Sequence, residues 1–345
     1  MLERLSPQGN FKPEIPGYKG RIYHFGEKQI PIHLDEHKWE FETENGTREI
    51  PIVSIWNYKN HQKIAEAIVS GKKIAMYMWG TFGTGYLLNF PEWQKKESDE
   101  AKVLREKLKI GRPKDQSFPV LIHPDDEWMF WDFDQLHENL QHLRDAENRY
   151  KLRSSGPVHL IVPRKKFNPY LDESLLWPLD NTFCDYYMPH PGWENVIKIL
   201  RKKVKHAIFA GGSLNIHAKD PVYTTNNLYS KILEIPEWSE TVDMVVICEI
   251  SESTQTFRGQ TQIRLAQKDS DGISEEVRRG SMPTERWSRE QKISVKNAAE
   301  GVKEASSLWP YTDQSNREVD IKIQGGMTLM KNFDRYDAKK ILKAA

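Results

Sequence analysis

The sequence predicts an α/β fold, a sheet covered by helices and at least partly parallel. Three observations carry this. Apolar runs that are continuous rather than alternating recur along the chain, as in KKIAMYM (72–78), PVHLIVP (157–163) and VDMVVIC (242–248). Stretches with apolar residues three and four apart separate them, and turn formers stand between the two kinds. Continuous apolar strands suit burial on both faces, which helices on a sheet provide.

Composition narrows the function classes. The chain has 345 residues, with 50 basic and 49 acidic side chains and 38% apolar residues. That is enough apolar material for a core, so the chain is not compositionally disordered. A net charge of +1 argues against wholesale nucleic-acid binding, though a local basic patch stays open. Aromatic residues make up 11%, which suits large buried or ligand-facing rings. The two cysteines, Cys184 and Cys248, stand alone in apolar contexts and form neither a disulfide framework nor a CxxC metal site. No apolar run reaches the ~18 residues of a membrane span. The N-terminus lacks a signal-peptide core, so a cytoplasmic protein without membrane contact is expected.

In chain order, residues 1–20 read as an irregular arm containing Pro13 and Pro16. Residues 21–55 alternate in strand fashion, and Asn45-Gly46 between two such runs is a hairpin signal. Together, residues 1–56 form an N-terminal arm and β-hairpin extension. A helix over 58–70 comes next, with Ile64, Ala65 and Ile68 on one face and Gly71 as its stop. Then come the KKIAMYM strand, a glycine-rich turn, a charged helix over 92–109 and the buried strand SFPVLIHP (117–124). The spacing of Leu136, Leu140 and Leu143 predicts an amphipathic helix over 134–150. After it stand the PVHLIVP strand, a helix near 192–203, the strand HAIFA (206–210) and the loop GGSLN (211–215). A helix near 225–233, the VDMVVIC strand and strands near 260–265 and 274–279 complete a central domain of residues 57–285. Residues 286–345 are polar, contain Gly325-Gly326 and read as a C-terminal appendage.

Several motifs could carry chemistry. In GTFGTG (80–85), glycines after a strand let backbone N–H groups approach ligand oxygens, but taken alone the motif reads better as an ordinary tight turn. It is neither a Walker A loop nor a GxGxxG fingerprint. His33-Leu34-Asp35-Glu36-His37 fits the inverted zinc-protease pattern, yet its flanks are β-like. On a strand the two imidazoles would lie roughly 13 Å apart, too far for one zinc. His137 and His142 are five apart and read as surface residues. Arg201, Lys202, Lys203 and Lys205 suit a helix C-terminus, with phosphate or RNA contact as the alternative. Ser213 has no paired His and Asp at recognisable spacing and reads as no nucleophile.

The order of these pieces resembles the Sua5/YrdC/YciO family, whose members make threonylcarbamoyl-adenylate for tRNA modification. The resemblance covers roughly residues 57–283. The family's strand-turn Thr falls on Thr81 and its Arg-Pro on Arg112-Pro113. Its Pro-Gly-Pro-x-Thr strand start is answered by Ser155-Gly156-Pro157-Val158-His159. Its Ser-x-Asn loop is answered by Ser213-Leu214-Asn215, with Pro221 and Thr224-Thr225 downstream. Its Ser-Thr strand is answered by Gln260-Thr261 and its final Arg-x-Gly by Arg278-Arg279-Gly280. The departures are Trp79 and Gly83 in the first motif, Ile110 at the lysine of KxRP, His159 at the strand Thr, Tyr186 at an Arg, and Gln260. Lys109 stands next to Ile110.

The resemblance implies a twisted mixed sheet flanked by helices and an ATP site served by Mg2+. Arg112 and Arg278 would offer guanidinium forks to phosphates and stabilise charge. Thr81, Ser213, Asn215 and Thr261 would complete the nucleotide site, and Gly83, His159 and Tyr186 the pocket of a small amino-acid-like substrate. The implied reaction forms a carbamoyl- or acyl-adenylate and releases pyrophosphate. Two alternatives stand: an RNA- or nucleotide-binding module, with tRNA as a partner and Lys109 and Arg201–Lys205 as contacts, or a biosynthetic carbamoyl-transfer enzyme.

Overall fold

The computed structural model describes residues 21–25, 28–32, 37–78, 81–87, 99–113, 118–149, 158–165, 181–187, 191–204, 206–217, 219–249, 261–270 and 275–278. The arm over 1–20, the stretch over 286–345, most of the HxxEH string, Trp79, Ser155 to Pro157, Gln260, and Arg279-Gly280 lie outside them.

Strands β1 (Arg21–Phe25) and β2 (Lys28–Ile32) pair antiparallel in a two-stranded sheet. The remaining described strands form one sheet of eleven. They are β3 (His37–Thr43), β4 (Gly46–Ser54), β5 (Ile74–Met78), β6 (Thr81–Leu87), β7 (Val120–Leu121), β8 (Val158–Pro163), β9 (Thr182–Tyr186), β10 (Phe209–Ser213), β11 (Met244–Ile247), β12 (Thr261–Arg264) and β13 (Glu275–Arg278). Their order is β13-β12-β8-β9-β7-β10-β6-β5-β11-β4-β3. β4, β11 and β5 run parallel, as do β7 with β9 and β8 with β12; the other pairings are antiparallel. The sheet is therefore mixed, as expected. The helices are α1 (Lys59–Val69), α2 (Asp99–Val103), α3 (Pro191–Lys203), α4 (Thr225–Glu234) and α5 (Pro236–Thr241). Among the described residues no helix is long and apolar enough to cross a membrane.

The hairpin signal at Asn45-Gly46 corresponds to β3 and β4, where Thr43 pairs with Gly46 and Gly46 takes φ +106°. This hairpin is continuous with the main sheet, because β4 lies beside β11. α1 and α3 pack side by side over the face to which Met76, Leu87, Leu121 and Phe209 point. Ile68 of α1 and Trp193, Val196, Ile197 and Leu200 of α3 close over these residues.

Five local expectations are corrected. The described part of GTFGTG is no loop: Thr81 to Leu87 is strand, with Met78 paired to Thr81 and Met76 to Gly83. Likewise Gly211 and Gly212 belong to β10, opposite Gly85 and Thr84. Glycine is needed there because the two backbones touch. A Cβ on Gly211 would lie 2.9 Å from the Gly85 Cα and would strike the Thr84 carbonyl. SFPVLIHP shortens to the two-residue β7.

The helix predicted over 134–150 breaks into short 3-10 pieces, Phe133–Gln135 and Glu138–Arg144. The Asp132 carboxylate accepts from the Asp134 N–H at 3.2 Å, and His137 Nδ1 accepts from Asn139 N–H at 3.3 Å. These side-chain caps compete with a continuous helix. The charged helix over 92–109 is described only from Asp99, and after one turn it becomes a π-helix over Leu104–Leu108.

Candidate functional site

A cavity of about 110 Å³ lies on the same sheet face as α1 and α3, farther along the strands. Side chains two apart on a strand share a face. Thus β6 presents Leu87 beneath α3 and Thr81 and Gly83 to the cavity. Met78, Lys109, Arg112, Pro119, His159, Tyr186, Gly212, Ser213, Pro221 and Gln262 complete the described lining.

One end carries the positive charge. The π-helix closes with the Lys109 N–H donating to the Leu104 carbonyl five residues back, at 2.7 Å. A π turn holds one residue more than an α turn and so re-aims the side chains beyond it. Gly111 then takes φ +81°, which glycine permits without a Cβ penalty, and the Arg112 N–H returns to the Lys109 carbonyl at 3.0 Å. The outcome is that Lys109 and Arg112 both face the cavity. Lys109 is only 4% exposed. Its ammonium donates to the Ser213 carbonyl and, at 2.9 Å, to Asn215 Oδ1. The Arg112 guanidinium lies 4.9 Å from the centre of the Phe118 ring, and the Arg105 guanidinium 5.0 Å from it.

The 213–222 segment is held in place from several sides. Ser213 Oγ donates to Asn215 Oδ1 at 3.0 Å, and Asn215 Nδ2 donates to the Ile216 and Lys219 carbonyls at 2.9 and 3.0 Å. The Leu214 N–H donates to the Phe82 carbonyl, and the Phe82 N–H to the Val222 carbonyl. The His217 N–H donates to the Ile110 carbonyl at 2.8 Å, which ties this loop to the lysine segment. Thr81 Oγ1 gives its proton to the Val222 carbonyl at 2.9 Å. The sequence expectation made Thr81 a ligand donor; here its hydroxyl pins the loop.

The other end is a row across four strands. Tyr186 pairs with His159, His159 with Gln262, and Gln262 with Arg278. The Tyr186 and His159 rings lie 5.0 Å apart. His159 Nδ1 is 3.6 Å from Cys184 Sγ. Tyr186 is 2% exposed, and its hydroxyl has no hydrogen-bond partner among the described residues. Leaving such a group unpaired costs about 1–3 kcal/mol. Burial pushes its phenol well above the usual range, so it stays protonated at neutral pH.

Of the residues singled out from sequence, Thr81, Gly83, Arg112, His159, Tyr186 and Ser213 line this one cavity, and Asn215 adjoins it through Lys109 and Ser213. Thr261 precedes Gln262, and Gln262 is the β12 residue in the described lining. Arg278 stands opposite Gln262 by backbone register. Sequence reasoning passed over Gln262 and counted Lys109 only as the neighbour of Ile110 and as a contributor to a concave RNA-binding surface. The signal for Gln262 was strand alternation against His159.

The basic cluster is largely engaged elsewhere. Arg201 contacts Asp125 at 3.2 Å, Asp126 at 3.1 Å and His123 at 2.8 Å. Lys203 lies 3.5 Å from Glu66, Lys202 is exposed and Lys205 lies outside the described residues.

No family model matches the sequence, and no curated protein matches it. Among solved structures the fold is similar to that of P. abyssi Sua5 complexed with L-threonine. Identity there is 17% and the TM-score 0.48, over 68% of this chain and 59% of that one. It is similar also to E. coli YciO, at 14% identity and TM-score 0.44, over 66% of this chain and 94% of that one. T. kodakarensis HypF matches at 18% identity and TM-score 0.43, over 64% of this chain and 24% of that one.

Proposed function

We propose that the cavity binds ATP through its phosphates and that the chain forms a carbamoyl- or acyl-adenylate from a small amino-acid-like substrate, releasing pyrophosphate. One observation carries this reading: Lys109 and Arg112 converge on one end of a cavity whose other end is lined, among the described residues, by His159, Tyr186 and Gln262. Two cations at one end suit an anionic tail, and a buried ammonium among fixed acceptors is preorganised for it. The resemblance of the Thr81, Arg112-Pro113 and Ser213-Leu214-Asn215 motifs to the Sua5/YrdC family supports the same reading.

In this reaction a carbamate oxygen attacks the α-phosphate. A new P–O bond forms, the bond to the bridging oxygen of the β-phosphate breaks, and pyrophosphate leaves. Lys109 and Arg112 stabilise the charge that develops, and the protein supplies positioning rather than a nucleophile. Among the described residues no group of three or more His, Cys, Asp or Glu side chains could hold a metal ion, and the described lining contains no carboxylate. Mg2+ would therefore enter on the phosphates of ATP.

The test is pyrophosphate release from ATP, Mg2+ and bicarbonate across a panel of amino acids and their derivatives. Release with at least one acceptor is expected. Absence of release with every acceptor, together with absence of ATP binding, removes the reading. For the RNA-module alternative, Lys109 is buried in the cavity wall, Arg201 and Lys203 stand in ion pairs, and Lys202 is exposed. That alternative predicts an RNA affinity that falls steeply with salt.

A further inference from the structure

We infer that Phe118 is a positioning residue of this site: the face of its ring holds the Arg112 guanidinium toward the cavity without neutralising it. The inference rests on the nucleotide reading only for which anion Arg112 then meets.

The backbone around Arg112 is fixed on both sides. Its N–H donates to the Lys109 carbonyl at 3.0 Å. The carbonyl of the next residue, Pro113, accepts from the Arg105 guanidinium. What remains is a long side chain with many rotamers, and ordering such a chain is entropically costly. Phe118 narrows its range. The Arg112 guanidinium carbon lies over that ring, 4.9 Å from its centre, within the ~6 Å reach of a cation–π contact. The ring is itself anchored. It is fully buried, and the residue after it, Pro119, lines the cavity and accepts from the Gly211 N–H at 2.9 Å. A ring fixed beside β10 therefore carries an arginine that faces the same cavity.

The chemistry of the support matters. A carboxylate would hold a guanidinium by its donor fork and cancel its charge. A π face attracts the same cation through its quadrupole and carries no net charge. It restricts Arg112 and keeps the charge that an anion must meet. Arg105 lies over the same ring at 5.0 Å and is only 5% exposed. The described lining includes Arg112 and not Arg105. The two cations thus divide the work: Arg105 ties the π-helix to Pro113, and Arg112 faces the cavity.

Fluorine withdraws electron density from a ring face and leaves its shape nearly unchanged, so it separates a π contact from packing. The full chain with phenylalanine, 4-fluoro-, 3,5-difluoro- or 3,4,5-trifluorophenylalanine in place of Phe118 is titrated calorimetrically with ATP and Mg2+ and, separately, with inorganic pyrophosphate. Affinity for at least one of these anions is expected to fall stepwise with fluorine count, by about threefold or more at the trifluoro ring. Urea unfolding without ligand assigns the effect to Arg112. The trifluoro ring should cost less stability in Arg112→Met than in the wild type, because the contribution of Arg105 is common to both and cancels. Arg112→Gln is the second background should Arg112→Met not fold. Equal cost in the two backgrounds, affinities that do not change along the series, or no binding of either anion overturns the inference. If pyrophosphate affinity follows the series while ATP fails to bind, the nucleotide reading fails and this one stands. If ATP binds and neither anion follows the series, the reverse holds.

Discussion

The ammonium of Lys109 stands 2.9 Å from Oδ1 of Asn215, joining the end of a π-helix to the loop after β10 across 106 residues. The same ammonium donates to the Ser213 carbonyl. Lys109→Met keeps the apolar stem and removes these bonds. Both acceptors are part-buried, and hydrogen bonds from a charged donor contribute about 1.5–3 kcal/mol. The urea midpoint should fall by the corresponding amount with an unchanged slope. An unchanged midpoint would show that the lysine does not brace the loop.

Gly211 and Gly83 should answer differently to alanine. A Cβ on Gly211 meets only backbone: the Thr84 carbonyl, and the Gly85 Cα at 2.9 Å. Its worst contact on Gly83 is the thioether of Met78, which can rotate. Overpacking of this kind costs on the order of 1–3 kcal/mol, and Gly211→Ala should sit at or above the top of that range. Gly83→Ala should be milder and should weaken ligand binding, because the Met78 side chain it displaces lines the cavity. Thermal unfolding of both variants checks the order, and a milder Gly211→Ala would contradict the close approach of β6 and β10.

Glu127 and Arg149 form a buried pair, with Arg149 Nε donating to Glu127 Oε2 at 2.6 Å. The same guanidinium donates to the Pro124, Leu143 and Arg144 carbonyls. Removing one partner of such a pair strands the other, at about 3–5 kcal/mol. Arg149→Met should therefore lower stability by that order in denaturant titration. A loss below about 1 kcal/mol would match an exposed ion pair instead.

Acid should weaken the fold through two buried imidazoles. Burial holds the His61 and His123 imidazoles below the usual histidine range, with the Arg201 charge adding to the effect at His123. The unfolded chain then takes up protons first as pH falls through about 6.5, and folding stability drops from that point down towards the folded values. The melting temperature should fall between pH 7.5 and 5.5, and less so in His61→Gln. A flat profile in this window would mean that these imidazoles are as hydrated as in the unfolded chain.

Much of the architecture was legible because burial patterns are local. IAMYM and MVVI are apolar at every position and are strands buried throughout. Asn45-Gly46 marked the β3–β4 hairpin, and Gly71, at φ +77°, the end of α1. The readings that failed depended on distant contacts. Gly85 and Gly211 look like turn formers until the opposite strand is known, because what meets a side chain there is another backbone. Leu136, Leu140 and Leu143 are all buried, as their spacing suggests, but His137 captures the Asn139 N–H, which a continuous helix would direct to the carbonyl four residues back. Lys109 was hidden by a single residue. Between the lysine and Arg112-Pro113 stand two residues where the family pattern has one, and only the π turn and Gly111 show how both side chains reach one cavity.

Titration calorimetry of ATP with Mg2+ against the wild-type chain and Lys109→Met tests the central claim most directly. The account predicts saturable one-to-one binding by the wild type, weakened tenfold or more in the variant while the variant remains folded. Equal affinity in the two proteins, or no binding by the wild type, would contradict it.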